Sequence, residues 1–560
     1  MAENPPYWID KGNLWSQLPG DEQPIWLSTA ITVAGRTRNL KGEGYGLLLR
    51  WKDPYGHDRE WIMPFEFLAD DGKEMRRNLL DKGVRMSTGI KARRRMLAWL
   101  ANQDPKHGFY TTETLGWNGY CYVLPDLILG APEEPVVLVG WDREEDSVYC
   151  SGEQEDWIKF VGESCAGHRK LMMAVIVAFA GPLLKFCNED TFGLHFYGGS
   201  SIGKTTALYV AQSVWGSPQG LYRWRATANA LETVAASKND GLLCLDEIAQ
   251  LDPRQAAEVA YMLGNGKGKH RAIKDGSKAK EKTWRMIYLS TGEMSMANFV
   301  ESNGGTMRGG MEVRQIDIPA EEGPNGILGW IGDMDAAEYI RFLTEGTRRY
   351  YGTVGRSWVD FIAKDPFEYV DFVEKQRSTF IHAVNKTQSL TNGQTRRVAE
   401  KFGFLFGVGR LACQNGLTGF SQSESDDAVL SQWNHWLRGR GGKKTYEEMK
   451  AIKQVREFIA RHGDSRFQAA RGSEVVVRDR AGYWRTMDEG GKEYLIHPEI
   501  WSRDICVGLN PIEVAKALDE KGYLRKGEGK NWSKKERIPN VSNACRMYVV
   551  KSSILEGADE

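Results

Sequence analysis

This chain has no excess of charge of either sign: its 560 residues carry 74 Lys and Arg against 74 Asp and Glu. Global charge therefore advertises no polyanionic partner, and any basic surface must be local. Cysteine is sparse and scattered. The eight residues at 121, 150, 165, 187, 244, 413, 506 and 545 form no C-x-x-C pair and have no His-spaced partner. That argues against a zinc site or a disulfide framework and for reduced thiols in a cytosolic protein. A long apolar run is missing too. The longest, Leu171–Leu184, has fourteen residues, contains Gly181-Pro182 and is flanked by Arg169, Lys170 and Lys185. It is too short to span a bilayer and reads better as a helix buried under a sheet. The first residues, MAENPPYWIDKG, lack the basic and apolar regions of a secretory leader, so a cytoplasmic location is expected.

What is present concentrates in Thr191–Thr206, TFGLHFYGGSSIGKTT. A short apolar run, Gly193–Tyr197, enters Gly198-Gly199-Ser200-Ser201-Ile202-Gly203-Lys204-Thr205, which matches G-x-x-x-x-G-K-[ST] at every fixed position. Strand, loop and helix follow in the order a phosphate loop needs. Glycines at 198 and 203 let backbone N–H groups close on phosphate oxygens. Lys204 sets a charge beside the β- and γ-phosphates, Thr205 offers a hydroxyl to Mg²⁺, and the helix starting near Thr206 points its positive end at the anion. ATP and Mg²⁺ are thus the expected ligands. Downstream, Gly241–Glu247 reads GLLCLDE, an apolar strand suited to a sheet buried on both faces, ending in two carboxylates. Asp246 is expected in the Mg²⁺ shell with Thr205, and Glu247 as general base on the attacking water.

The length calls for three or four domains. Residues 1–145 read as mixed α/β, with strands at Pro24–Val33, Gly44–Trp51 and Glu60–Phe67 and helices at Asp71–Lys82 and Lys91–Ala101. The cluster Lys91 to Arg95 reads either as a DNA contact or as a solvated helix face. Residues 156–320 read as the motor, with five β segments at Gly193–Tyr197, Leu221–Arg225, Gly241–Leu245, Trp284–Ser290 and Glu312–Ile318, separated by helices or loops. That alternation implies a parallel sheet in a three-layer sandwich. Residues 325–440 carry only helical periodicity and fit an all-α lid. Residues 443–560 have a helix, a Tyr/Trp-bearing hairpin, a second helix and a strand, basic loop and strand, the pattern of a winged helix. The loop cations Lys526, Lys530, Lys534, Lys535 and Arg537 leave DNA contact and partner docking both open.

Between the carboxylate strand and the next lies LGNGKGKHRAIKDGSKAKEKTWR, Leu263–Arg285, with six more basic than acidic residues in a chain that is neutral overall. The Lys274-Asp275-Gly276-Ser277 turn suggests a hairpin. Lys267, Lys269, His270, Arg271 and Lys274 are its candidate nucleic-acid contacts, a solvated surface loop being the alternative. The strand after it ends in Ser290-Thr291, small hydroxyls beside the carboxylates. Arg308 and Arg314 flank the last strand's entry, where one of them is an arginine-finger candidate or a plain ion-pair partner.

The blocks GWNGYCYVLPD, GHRKLMMAVIVAFAGPLL, FYGGSSIGKTT, RWRATANALE, GLLCLDEIAQ, YLSTGE, GGMEVRQIDIP and QTRRVAEKFGFLFGVGRLA together resemble the bacterial and prophage family called domain of unknown function 927. The resemblance covers roughly residues 20–440. It implies a ring-forming helicase of the AAA+ or superfamily 3 type, carried by a phage or mobile element. By that resemblance ATP falls on Gly198 to Thr206, Mg²⁺ on Thr205 and Asp246, and catalysis on Glu247, while the EVR block favours Arg314 over Arg308 as the finger. No two-carboxylate or zinc-binding primase block precedes the motor, so a primase, if one is needed, is expected on a separate chain. Two functions follow from this reading. One is a hexameric ATP-driven DNA helicase or translocase serving replication of a mobile element and gripping single-stranded DNA. The other is an ATP-switched binding, regulatory or defence protein that unwinds nothing.

Overall fold

The computed structural model describes residues 6–141, 149–269, 281–303, 309–388, 390, 392–439, 446–471, 477–487, 490–527, 531–538 and 544–556. The chain is mixed α/β and divides into two compact units, residues 1–148 with 359–364, and residues 149–358 with 365–560.

In the first unit a five-stranded sheet runs in the order Val136–Leu138, Gly108–Thr112, Thr32–Asn39, Gly46–Lys52, Asp58–Pro64. The last three strands form an antiparallel meander, and the first two add to it in parallel. Gly46–Lys52 is an interior strand, nearly continuous in buried apolar residues, and it packs with Met75 and Leu79 of helix Lys73–Asp81 and with Met96 and Leu100 of helix Ile90–Ala101. The second of these helices holds the Lys91 to Arg95 cluster. Arg95 is buried there and both its terminal nitrogens hydrogen-bond the Asp21 carboxylate, while Lys91 Nζ lies 2.7 Å from the same group. These hydrogen bonds from Arg95 and Lys91 hold the Asp21 carboxyl well below its ordinary range. Two of the cluster's cations therefore serve the fold, tying the helix to a loop seventy residues earlier.

The second unit is built on a parallel sheet. Helix α1 (Arg169–Ala180) precedes it, and the strands are β1 (Phe192–Tyr197), β2 (Tyr222–Arg223), β3 (Leu242–Asp246), β4 (Ile287–Gly292) and β5 (Gln315–Pro319). Their order is β2-β3-β4-β1-β5, every pair parallel. The apolar run that begins at Leu171 is α1, buried from Lys170 to Ala180. Trp215 and Trp358 donate indole N–H bonds to the Ala178 and Phe179 carbonyls at 2.8 Å, clamping its last turn.

Three helices joining the strands matter for the site: α2 (Lys204–Ser213), α3 (Ala228–Ser237) and α4 (Ala256–Asn265). Helix α5 (Met296–Ser302) follows β4, and α6 (Ala336–Arg349), α7 (Pro366–Gln388), α8 (Gly393–Gln414) and α9 (Gln422–Gly439) supply the helical run expected after residue 325. Beyond them, helix Tyr446–His462 and helix Pro511–Glu520 share a core with strands that include Gly482–Thr486, Lys492–Ile496 and Cys545–Lys551. Of the loop cations there, Lys526 engages Asp519 at 2.8 Å and Lys534 engages Glu536 at 3.2 Å; Lys530 lies outside the described residues. Among the described residues, no helix is long and apolar enough to cross a membrane.

Candidate functional site

Strand β1 buries Phe192, Leu194 and Phe196 completely and has a parallel neighbour on each side, so its C-terminal end is held firmly. The chain then turns through Gly198, at φ 158°, and Gly203, at φ 93°, into α2. A Cβ at Gly203 would meet strained backbone and stand 3.0 Å from Ile327 Cγ1, so that position accepts only glycine without cost. Ser201 also sits at positive φ, 63°. Backbone bonds hold the loop from outside: Gly198 N–H donates to the Gly292 carbonyl at 3.2 Å, and the Ile202 carbonyl accepts from Ile327 N–H at 3.0 Å. Lys204 is largely buried at the start of α2, and its ammonium donates to the Gly198 and Gly199 carbonyls, inside the loop. Burial lowers its pKa, while the nearby carboxylates of Glu247, Glu293 and Asp246 act to raise it.

Asp246, at the C-terminal end of β3, comes together with this loop. Thr205 Oγ1 stands 3.3 and 3.4 Å from the two carboxylate oxygens of Asp246, and Thr291 Oγ1 donates to Oδ1 at 2.6 Å. Thr291 also accepts from the Glu247 backbone N–H at 3.3 Å. One hydroxyl thus fixes both acidic residues. Glu247 itself adopts φ 58° and ψ 81°, a left-handed conformation that costs a non-glycine residue roughly 1–3 kcal/mol and persists only where surroundings enforce it.

The two hydroxyls of the YLSTGE block part company. Side chains alternate along a strand, so Thr291 faces Asp246 and Ser290 faces the other way. Ser290 is buried, and its Oγ lies 2.9 Å from His195 Nδ1 and 3.0 Å from Trp224 Nε1. His195 Nε2 lies 3.0 Å from the Met294 carbonyl, which only an N–H can satisfy. Nδ1 is therefore the acceptor, Ser290 O–H donates to it, and Trp224 N–H donates to Ser290. Burial pushes the His195 pKa down to about 4, so the ring is neutral and this tautomer is fixed. The sequence signal for this network is a lone histidine inside an apolar strand. A second residue that sequence reasoning missed is Glu321, whose Oε1 accepts from Gly199 N–H at 3.4 Å.

Arg314 immediately precedes β5. Because Gly193 pairs with Gln315 and Tyr197 with Pro319, it lies at the opposite end of the sheet from the loop, roughly 16 Å of strand away. There its Nη1 donates to the Gly310 carbonyl at 3.0 Å. It does not join the loop and the carboxylates of its own chain. Arg308 lies outside the described residues, as do His270, Arg271 and Lys274. The base of the expected hairpin is described. Lys267 bridges Thr283 in antiparallel fashion, Gly268 N–H donates to the Lys282 carbonyl at 2.9 Å, and Trp284 N–H donates to the Gly266 carbonyl at 2.9 Å. Trp284, expected in the strand, belongs to this base, and β4 starts only at Ile287. Lys269 Nζ is 2.7 Å from Glu258 on α4, so one of the candidate contacts is ion-paired within the chain.

The donors that meet beside the loop are oxygens, the Asp246 carboxylate and the Thr205 hydroxyl at the N-terminus of α2. This suits Mg²⁺, which takes one or two carboxylates and keeps substrate phosphates and waters as its other ligands. Together, fold and site define a mixed α/β protein in which a glycine-bearing strand, loop and helix stands beside an acidic pair at the C-terminal ends of a parallel sheet. Residues 9–284 match the family described as "Domain of unknown function (DUF927)". The matched range begins earlier than the resemblance drawn from the sequence blocks and stops short of β4, β5 and the helices after them. A solved structure described as "SCCmec type IV Cch - active helicase" shares the fold, with a TM-score of 0.75 at 19% identity over 99% of both chains. No curated protein matches the sequence.

Proposed function

We propose that this protein is an ATP-dependent DNA helicase or translocase of the AAA+-like type, working as a homo-oligomeric ring, a hexamer in our reading, in the replication of a phage or mobile element. The observation that carries this reading is the convergence of Lys204, Thr205, Asp246, Glu247 and Thr291 at the C-terminal ends of β1, β3 and β4. The strand order supports it, since β4 stands between the loop strand and the carboxylate strand and brings Thr291 to both acidic residues. The solved mobile-element helicase with the same overall fold supports it further. The winged-helix reading of residues 443–560 and the lid reading of 325–440 belong to this same proposal.

In this mechanism the loop N–H groups and Lys204 hold the triphosphate of ATP, and Lys204 leaves the loop carbonyls to do so. Thr205 and Asp246 would hold Mg²⁺, which neutralises charge on the β- and γ-phosphates when bound. Thr291 orients Asp246 and the backbone of Glu247 at once. Glu247 then positions the attacking water and takes its proton. Arg314, too far from its own loop, serves the site of the adjacent subunit, supplying positive charge as the γ-phosphoryl leaves. The basic hairpin grips a single strand through its backbone, largely without reading sequence.

Steady-state ATPase with and without single-stranded DNA tests the proposal. Lys204→Ala is expected to lose nucleotide binding, and Glu247→Gln to bind ATP but turn it over roughly 10²- to 10⁴-fold more slowly. Single-stranded DNA should stimulate the parent several-fold. ATP hydrolysis indifferent to DNA would favour the ATP-switched binding protein instead. Lys269, already engaged by Glu258, is the observation that leans that way.

A further inference from the structure

Against the base of the basic hairpin, helix α4 borders a cleft of about 440 Å³ lined by Glu258, Tyr261, Met262, Asn265 and Lys267 to Lys269. That volume falls within the range of small-ligand clefts, about 300–1,000 Å³. The four α4 residues are spaced i, i+3, i+4, i+7, one face of a helix. Met262 is buried in the core beside Val259 and Leu263, whereas the Tyr261 ring is 54% exposed. An aromatic side chain is thus held out to solvent by a helix whose neighbouring residues are core. At one end of the cleft Glu258 and Lys269 neutralise each other at 2.7 Å, so among the described residues the cation left in its lining is Lys267.

We propose that this cleft takes one base of a single-stranded nucleic acid, stacked on Tyr261, with the Asn265 amide at the base edge and Lys267 at the adjoining phosphate. The proposal rests on the reading of the hairpin as a nucleic-acid contact and adds the element that would hold a base. Three features favour this occupant. The aromatic face accepts any base without sequence preference, the amide supplies both a donor and an acceptor, and residues 263–285 carry six more basic than acidic residues. A backbone tracked only by lysines has no need of an exposed ring.

The test measures binding of labelled oligo-dT and oligo-dA to the full-length protein by fluorescence anisotropy over a salt series. Tyr261→Phe should bind like the parent. Tyr261→Leu and Tyr261→Ala should each lose about 5- to 150-fold in affinity. Their slope of log affinity against log salt should stay unchanged, because no phosphate contact is lost. Lys267→Ala should instead flatten that slope by about 0.7. Parental affinity in Tyr261→Ala overturns the base site; if Lys267→Ala still flattens the slope, the hairpin reading survives alone, and if it does not, both fall. Equal losses in Tyr261→Phe and Tyr261→Ala overturn stacking in favour of the hydroxyl. Dissociation of oligomers by Tyr261→Ala, seen by light scattering, would make this face a subunit contact and overturn the proposal too.

Discussion

Thr291→Val offers the sharpest test of the catalytic arrangement, because it exchanges one hydroxyl for a methyl of the same shape. The hydroxyl lost is the one that donates to Asp246 at 2.6 Å and accepts from the Glu247 N–H at 3.3 Å. A hydrogen bond to a charged group contributes roughly 1.5–3 kcal/mol. If that contribution appears only as the transition state forms, turnover falls about 10- to 150-fold. Glu247 adds to the effect, since its left-handed backbone loses one of the bonds that enforce it. Nucleotide affinity should change little, because Lys204 and the loop amides are untouched. Steady-state ATPase, read alongside a fluorescent-nucleotide titration, separates the two quantities. Thr291→Ser should restore most of the rate. Ser290→Ala, one residue away but facing His195 and Trp224, should cost stability more than turnover. Parental turnover in Thr291→Val, or an equal loss in Ser290→Ala, would refute the assignment of the two hydroxyls.

Arg314→Ala should bind ATP normally yet lose roughly 10³-fold or more in turnover, and mixing it with Lys204→Ala should restore part of the activity once subunits exchange; no recovery despite demonstrated exchange counts against action in a neighbouring site. Asp317 on β5 is half-buried, accepts from the Ala297 N–H at 3.2 Å, and has its pKa pushed up by desolvation to about 7. A raised folded pKa means stability that is complete below the unfolded value of 3.8 and lost as pH climbs to about 7, of order 4 kcal/mol in all. Denaturant midpoints at pH 5 and pH 8 should therefore show the parent losing ground to Asp317→Asn, and a constant difference would refute the shift. Lys170 is fully buried, with Glu322 at 3.6 Å and His435 Nδ1 at 3.0 Å. Glu322→Gln strands that ammonium and should cost roughly 3–5 kcal/mol in urea unfolding, a loss that Lys170→Met combined with it should largely relieve.

The parts of the site legible in the sequence are those fixed by local spacing. The loop motif and the apolar run ending in Asp246 and Glu247 each need only a few consecutive residues. The strands stand at Phe192–Tyr197 and Leu242–Asp246, within a residue of where apolar runs place them. What stayed hidden depends on register or on distant partners. Whether Ser290 or Thr291 faces the carboxylates turns on the phase of β4 against β1, which pairs Ser290 with His195. Lys91 and Arg95 read as an available basic patch until Asp21 is found between them, and Lys269 likewise until α4 brings Glu258 to it. Charge counted along a chain takes no account of the acid that folding delivers. Trp284 carries every mark of a strand residue, yet its indole N–H donates to the Leu263 carbonyl and its backbone closes the hairpin base.

The segment after β5 gives the site a physical link to the helices behind it. Two consecutive carboxylates there face opposite ways. Glu321 accepts from Gly199 N–H in the loop before α2, whereas the Glu322 side chain is buried, accepts from Gln432 Nε2 of α9 at 3.2 Å and lies against the Lys170 ammonium of α1. Lys170 in turn hydrogen-bonds Gln432 and His435, both on α9. Burial lowers the Lys170 pKa to about 8 against the pull of Glu322, and lowers that of His435 to about 4, so near neutral pH the cluster holds an ammonium beside a neutral imidazole. A buried pair of this kind resists separation far more than a surface pair does, since either partner left alone is an uncompensated charge. An anion entering the loop competes with Glu321 for the Gly199 N–H. Glu321 can yield only by moving the backbone it shares with Glu322, or by turning its own side chain away. The first route carries the displacement to α9 through the Glu322–Gln432 hydrogen bond, and the second leaves α9 where it stands. The fold therefore ties the Gly198–Gly203 loop and helix α9 to one dipeptide, and under the proposed function the rigidity of its buried half decides whether phosphate binding is felt by the helices.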